Sequence, residues 1–205
     1  DDVLELAAGG AGAEVLVGYN RRFYASVAAA RKLIEEDGGA TSCVFDITEY
    51  SQHIAELDLP DVVKASWLLG NTSHVVDLAF NLCGDPVELS TQTAGSLSWH
   101  PRSARFVGSG LTEHGVAFSF HGDWEAPGRW GVEVCTRERR LILRPLEELR
   151  MIIWGSAASE AVTIDDRLDR EFKPGLHGLI RAFVRGDDRL LCHIEEQASR
   201  CRIYD

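Results

Sequence analysis

Methionine is nearly absent from this chain, which begins at Asp1 and holds a single methionine, Met151. Without an initiating methionine it is expected to be a piece of a longer or processed polypeptide. Long apolar runs are missing too: none approaches the ~20 residues that cross a bilayer, and no charged-then-apolar leader opens the sequence. Five cysteines (Cys43, Cys83, Cys135, Cys192 and Cys201) are odd in number and scattered, with no C-x-x-C pair. That argues against a disulfide framework and a structural zinc site, and a reducing cytoplasm is the expected location. H-E-x-x-H is absent, and His193-Ile-Glu-Glu196 offers two ligands at helical spacing, too few for a metal centre, so no metal is expected. Basic residues are outnumbered, 21 Lys and Arg against 32 Asp and Glu, for a net charge of −11. Only Arg137-Glu-Arg139-Arg140 breaks that balance, so neither nucleic acid nor an anionic membrane surface is an expected partner.

What remains is an ordinary globular composition over 205 residues, long enough to bury a core without disulfides or metal. Residues 1–8 read as a short helix and 14–19 as a short apolar strand of the buried parallel kind, joined by Gly9-Gly-Ala-Gly12. A dinucleotide-binding loop follows a strand and opens a helix. Here the glycines follow a helix and open a strand, so a phosphate-loop reading is rejected. An alanine-rich helix over 25–37 is closed by Gly38-Gly39, a strand covers 41–50, and 60–66 reads as irregular. From Val87 the pattern turns to period two, giving strands over 87–97, 116–124, 130–136, 139–144 and 149–154. Amphipathic helices over 174–184 and 193–204 end the chain, broken at Gly186-Asp-Asp188. The expected fold is α/β (α+β), a largely antiparallel open sheet with helices on one face, preceded by a helix–strand unit. Trp99, Trp124, Trp130 and Trp154 punctuate the strands as packing residues of the core or a subunit interface. His100, His114 and His121 read as surface or satisfied residues.

The segment richest in chemistry is Trp67-Leu-Leu-Gly-Asn71-Thr-Ser-His74-Val-Val-Asp77-Leu-Ala-Phe-Asn81-Leu-Cys-Gly-Asp-Pro86. Asn71, Thr72 and Ser73 suit a helix N-cap, and Gly84 with Pro86 is a stop signal. At about 100° per residue, Asn71, His74, Leu78 and Asn81 share one stripe with Asp77 at its edge, opposite Val76, Ala79, Phe80 and Cys83. The stripe is expected to be a polar, open face. His74 in a first turn would feel the positive end of the helix dipole, which disfavours imidazolium.

Read in order, a strand, Gly18-Tyr-Asn-Arg-Arg-Phe23, a long helix, Ser73-His-Val-Val-Asp-Leu78, Gly84-Asp-Pro86 and a β-rich remainder resemble the second domain of the glucose–fructose oxidoreductase/inositol dehydrogenase (Gfo/Idh/MocA) family. The resemblance covers nearly the whole chain. It implies that residues 1–19 are a remnant of an N-terminal Rossmann domain, and that 20–205 form the C-terminal substrate-binding and dimerisation domain. It implies NAD or NADP as cofactor, held mainly by the Rossmann domain, and oxidation or reduction of a hydroxyl on a sugar, polyol or related compound. It also implies a homo-oligomer formed through the open sheet. His74 matches the family's catalytic histidine, which works with a lysine of the first domain and an aspartate four residues before the histidine. That aspartate position is Gly70 here, a departure from the usual chemistry.

The candidate set is therefore His74 as proton acceptor and donor, with Asn20, Arg22, Lys64, Trp67, Asn71 and Ser73 around substrate. Asn20, Arg21 and Arg22 follow the end of an apolar strand, where open α/β sheets bind ligands, although an arginine there also suits a structural ion pair. Asn71 and Ser73 suit a polyol or a helix cap. Lys64 and Trp67 enter the same segment, the indole as a floor under a sugar ring or as core. Two other readings stand beside hydride transfer: a non-catalytic sugar-binding or oligomerisation module, and an NAD-dependent glycoside hydrolase. A metal hydrolase is a distant third.

Overall fold

The computed structural model describes residues 2–9 and 14–204. Part of the expected Gly9–Gly12 turn thus lies outside the described residues. In chain order the elements are α1 (Asp2–Ala8), β1 (Leu16–Val17), a 3-10 turn at Asn20–Phe23, α2 (Ala25–Glu36), β2 (Ser42–Asp46), α3 (Ser51–Glu56), α4 (Asp61–Ala65), a π turn at Leu68–Thr72 and α5 (Ser73–Cys83). Then come β3 (Pro86–Ala94), β4 (Arg105–Thr112), β5 (Ala117–Asp123), β6 (Gly131–Cys135), β7 (Arg139–Leu143), β8 (Arg150–Ile153) and β9 (Glu160–Ala161). The chain closes with α6 (Arg167–Glu171), α7 (Leu176–Arg185), β10 (Cys192–His193), α8 (Ile194–Arg200) and a 3-10 turn at Cys201–Ile203.

Eight strands form one sheet in the order β3-β4-β5-β2-β6-β7-β8-β9. Every pair is antiparallel except β2 with β5, where Ser42 faces Ala117 and Asp46 faces His121. The expected open, largely antiparallel sheet is present, with α2 and α5 on one face. Period two decides which side chains they cover: Cys43 and Phe45, Phe106 and Phe118, Val132 and Val134, and Leu141 and Leu143 are all buried. Phe80 of α5 is the wedge between helix and sheet, edge-on to Phe45 at 5.7 Å and to Phe118 at 5.1 Å. The other face is mixed: the register sets Val44 and Val107 beside Ser119, His121, Glu133 and Arg140. Trp99 stacks on Trp124 at 5.5 Å and closes one end of the core, while Trp154 is exposed.

Several expectations are corrected. The 14–19 strand shrinks to Leu16–Val17 and pairs antiparallel with β10, Leu16 facing His193, so it is no parallel core strand. The strand over 41–50 stops at Asp46, and 60–66 is not irregular. Pro60, with φ −55°, enters α4, and Asp61 occupies its first turn. Strand β4 was not foreseen because Gly108 and Gly110 dilute its β signal. Both positions exclude a side chain: a Cβ on Gly108 would lie 2.4 Å from the Phe120 ring, and one on Gly110 would lie 1.8 Å from the Glu88 carbonyl oxygen. The stop of α5 is as expected, at Gly84 with φ 92°.

The polar stripe of α5 is not open. Asp77 is 1 % exposed and accepts from Arg22 Nε at 2.8 Å, Arg22 Nη2 at 2.5 Å and Arg200 Nη1 at 2.7 Å. Arg22 also reaches Glu196 at 2.5 Å, and Arg200 reaches Asp85 and Glu196 at 2.5 and 2.9 Å. Burial pushes the Asp77 carboxyl up, and the two guanidiniums pull it down. Asp77, Cys192 and Glu196 bring ligand atoms within 4.8 Å of one another, but the two guanidiniums occupy the carboxylates. Asp77→Ala leaves two buried arginines short of a counter-charge and is expected to cost about 3–5 kcal/mol in urea unfolding. Glu196→Ala, whose side chain is 28 % exposed, is expected to cost clearly less.

Candidate functional site

His74 lies one residue into α5, but the helix does not start there. The π turn at Leu68–Thr72 already runs helically into it, Thr72 has φ −65° and ψ −22°, and no side chain caps the helix. The N-cap roles expected of Asn71, Thr72 and Ser73 are therefore not played, and no open helix terminus faces the imidazole. Asn71 Nδ2 and Thr72 Oγ1 instead donate to Glu49 Oε1, at 3.1 and 2.6 Å. Ser73 is buried beside the Tyr19 hydroxyl.

The imidazole stands edge-on to the Tyr19 ring, with centroids 5.0 Å apart. Its Nδ1 is buried and makes no hydrogen bond among the described residues. Burial first, then the charges of Arg21 and Lys173, push its pKa down to about 3. The ring is thus neutral, as the sequence suggested, but through desolvation and two cations and not through a helix dipole.

The structure does not gather the other sequence candidates into one cluster. Asn20 is buried and donates to the Pro174 carbonyl at 2.8 Å, and Arg22 is committed to the Asp77 and Glu196 carboxylates. Lys64 donates to the Ala55 carbonyl at 2.8 Å and ties α4 to α3. Trp67 packs on the core, edge-on to Trp99 at 6.4 Å. Asn71 alone of the set lines a cavity of 230 Å³, with Arg21, Glu49, Tyr50, Trp130 and Glu147 among its other walls. A larger, 1010 Å³ cavity between α4 and the sheet contains none of the candidates.

Glu49 and Trp130 are the residues that sequence reasoning did not single out as a site. Glu49 follows β2, and burial pushes its carboxyl up against the pull of Thr72 and Asn71. The indole N–H groups of Trp67 and Trp130 also favour its ionised form, though neither makes a hydrogen bond among the described residues. The Arg21 guanidinium lies 4.7 Å from the Trp130 ring centroid, and its charge is felt by both Glu49 and His74. An acidic residue just past the end of an apolar strand was the one available signal. Because the imidazole is neutral, its proton NMR resonances are expected to stay flat from pH 8 to 5. Folding then loses stability as pH falls below about 6.5, the ordinary histidine value, because the unfolded chain takes up that proton first.

No family model matches the chain, and no curated protein is similar to it. Among solved structures, UDP-N-acetylglucosamine 3-dehydrogenase GnnA from Acidithiobacillus ferrooxidans is similar over 99% of this chain and 63% of its own, at 13% identity and a TM-score of 0.68. Levoglucosan dehydrogenase in complex with NADH and levoglucosan is similar over 73% of this chain and 46% of its own, at 19% identity and a TM-score of 0.56. An NAD-binding oxidoreductase from Klebsiella pneumoniae is similar over 84% of this chain and 55% of its own, at 16% identity and a TM-score of 0.65. The chain thus spans between 46% and 63% of the length of these structures. At such identities the likeness is one of architecture. This chain has the fold of part of those dehydrogenase structures, a largely antiparallel open sheet with helices on one face.

Proposed function

We propose that this chain is the substrate-binding domain of an NAD(P)-dependent oxidoreductase acting on a hydroxyl of a sugar, polyol or related compound, with His74 as the proton acceptor and donor. The observation that carries the reading is the His74 corner: a neutral imidazole whose buried Nδ1 has no partner among the described residues, just after the π turn that supplies Asn71 to a cavity walled by Arg21 and Glu49. The fold supports it, since the structures it resembles are dehydrogenases, one of them bound to NADH and a sugar.

Among the described residues no glycine loop joins a strand to a helix, so these residues do not form a dinucleotide cradle. NAD or NADP would be held by a Rossmann domain preceding residues 20–205, of which residues 1–19 are a remnant, and the 205 residues alone would be inactive. When bound, the cofactor supplies the hydride chemistry. This chain's residues handle orientation and the proton. Asn71 offers a donor and an acceptor to neighbouring hydroxyls, and Arg21 offers donors only. The same Arg21 charge stabilises an oxygen that becomes more negative as its proton leaves. His74 takes that proton, and negative charge developing within about 4–6 Å of the ring favours the imidazolium that results.

The weak basicity of His74 favours a second reading, a sugar-binding module without turnover. The test is NAD(P)H absorbance over a panel of sugars and polyols, using a polypeptide that joins this chain to its nicotinamide site. His74→Ala is expected to lower kcat by at least about a hundredfold at unchanged Tm. Activity near that of the unaltered enzyme would remove His74 from the reaction, and no turnover with any sugar would favour the second reading.

The open face of the sheet, where Val44 and Val107 are exposed, is the proposed homo-oligomer surface. Light scattering is expected to give at least twice the 22.6 kDa of one chain, and Val44→Glu is expected to lower that mass towards a single chain.

A further inference from the structure

Proton transfer at His74 leaves one wall of the neighbouring cavity without a task. Glu49 stands there half-buried, with both its hydrogen bonds, from Thr72 Oγ1 and Asn71 Nδ2, falling on Oε1. Among the described residues it has no ion-pair partner, although a carboxylate withdrawn from water is costly unless charge or donors compensate. Arg21, whose charge Glu49 feels, is stacked on Trp130 instead. The loop that places Glu49 is set by its neighbours, since Thr48 caps Asp46 through its backbone N–H and Trp124 Nε1 holds the Ile47 carbonyl at 2.9 Å. The carboxylate is therefore held in place and left without a cation, facing the cavity.

Charge and size narrow the occupant. Arg21 and Arg129 balance Glu49 and Glu147 around the cavity, with Arg129 and Glu147 already 3.7 Å apart, so there is no surplus cation for a phosphate or a carboxylate. A free carboxylate and the Asn71 amide suit adjacent hydroxyls, and the Trp130 and Tyr50 rings suit the C–H face of a saturated ring. At 230 Å³ the space falls below the ~300 Å³ at which pockets for drug-sized ligands begin, which suits a single ring seated in it.

We propose that Glu49 is the specificity determinant of this site, its carboxylate accepting hydrogen bonds from adjacent hydroxyls of a neutral monosaccharide or cyclic polyol seated against Trp130. The proposal rests on the oxidoreductase reading only for the place of the site: Glu49 reads the ring whether or not a hydride is transferred.

The test is binding to the 205-residue chain, followed by tryptophan fluorescence and ligand-observed NMR, with D-glucose, myo-inositol, D-glucuronate and UDP-glucose as probes. At least one neutral ring is expected to bind saturably, and neither anionic probe is expected to bind more tightly. Glu49→Gln is expected to weaken that binding tenfold or more at unchanged Tm, and Glu49→Asp to recover part of it. Should Glu49→Gln fail to fold, Asn71→Ala decides, with at least a threefold loss expected. The proposal is overturned by the absence of saturable binding of both neutral rings, by tighter binding of either anionic probe, or by variants that bind within twofold of the unaltered chain. Glu49-dependent binding without turnover would sink the hydride-transfer reading and leave this one standing. Turnover lost in His74→Ala with binding untouched by Glu49→Gln would do the reverse.

Discussion

Everything around His74 hangs on the buried charge network centred on Asp77. One carboxylate, in the middle of α5, holds Arg22 from the segment entering the domain and Arg200 from the helix that ends the chain. Two stretches far apart in sequence are thereby fixed to one helix turn. A hydrophobic contact would hold them less specifically, because apolar surfaces slide while bidentate guanidinium–carboxylate geometry does not. The network also explains why a net-acidic protein keeps arginines at its centre, where each sits between acids contributed by other elements.

Set against that rigid base, the His74 corner is under-satisfied. Among the described residues its imidazole Nδ1 lacks a hydrogen-bond partner and Glu49 an ion-pair partner, while Arg21 stacks on Trp130. Buried polar groups are hydrogen-bonded almost everywhere else in folded proteins. The contrast between the paired charges around Asp77 and the unpaired groups one turn earlier on the same stripe separates scaffold from site here. It also bears on Gly70, where the family resemblance leads one to look for an acid. The π turn occupies that position with backbone alone, and the half-buried acid bonded to Asn71 and Thr72 just after it arrives instead from beyond the end of β2.

Elements governed by local rules were legible in the sequence. The alanine-rich α2 with its Gly38 exit, the Gly84 stop of α5 and five of the period-two strands are all written in neighbouring residues. What failed to show depended on distance. Arg22 and Asn20 read as possible substrate contacts because their partners, Glu196 and Pro174, lie 174 and 154 positions away. Glu49 was overlooked because its donors come from a turn 22 and 23 residues later. The π turn was read as a helix cap because Asn, Thr and Ser favour caps when no buried carboxylate competes for their side chains. Strand β4 hid behind glycines whose need appears only once the Phe120 ring and the Glu88 backbone are in place.

The insertion of β2 between β5 and β6 has a consequence for how the chain reaches this state. Those two strands are successive in sequence, yet they cannot form a hairpin with each other, because a strand made some seventy residues earlier must lie between them. The sheet therefore divides into two meanders, β3-β4-β5 and β6-β7-β8-β9, each assembled from short-range pairings. They become one sheet only when β2 is captured along both edges. Closing the long loops that this requires costs entropy before any contact offsets it. The seam of the finished domain is thus its central strand, and the loop carrying Glu49 leaves directly from that strand's end.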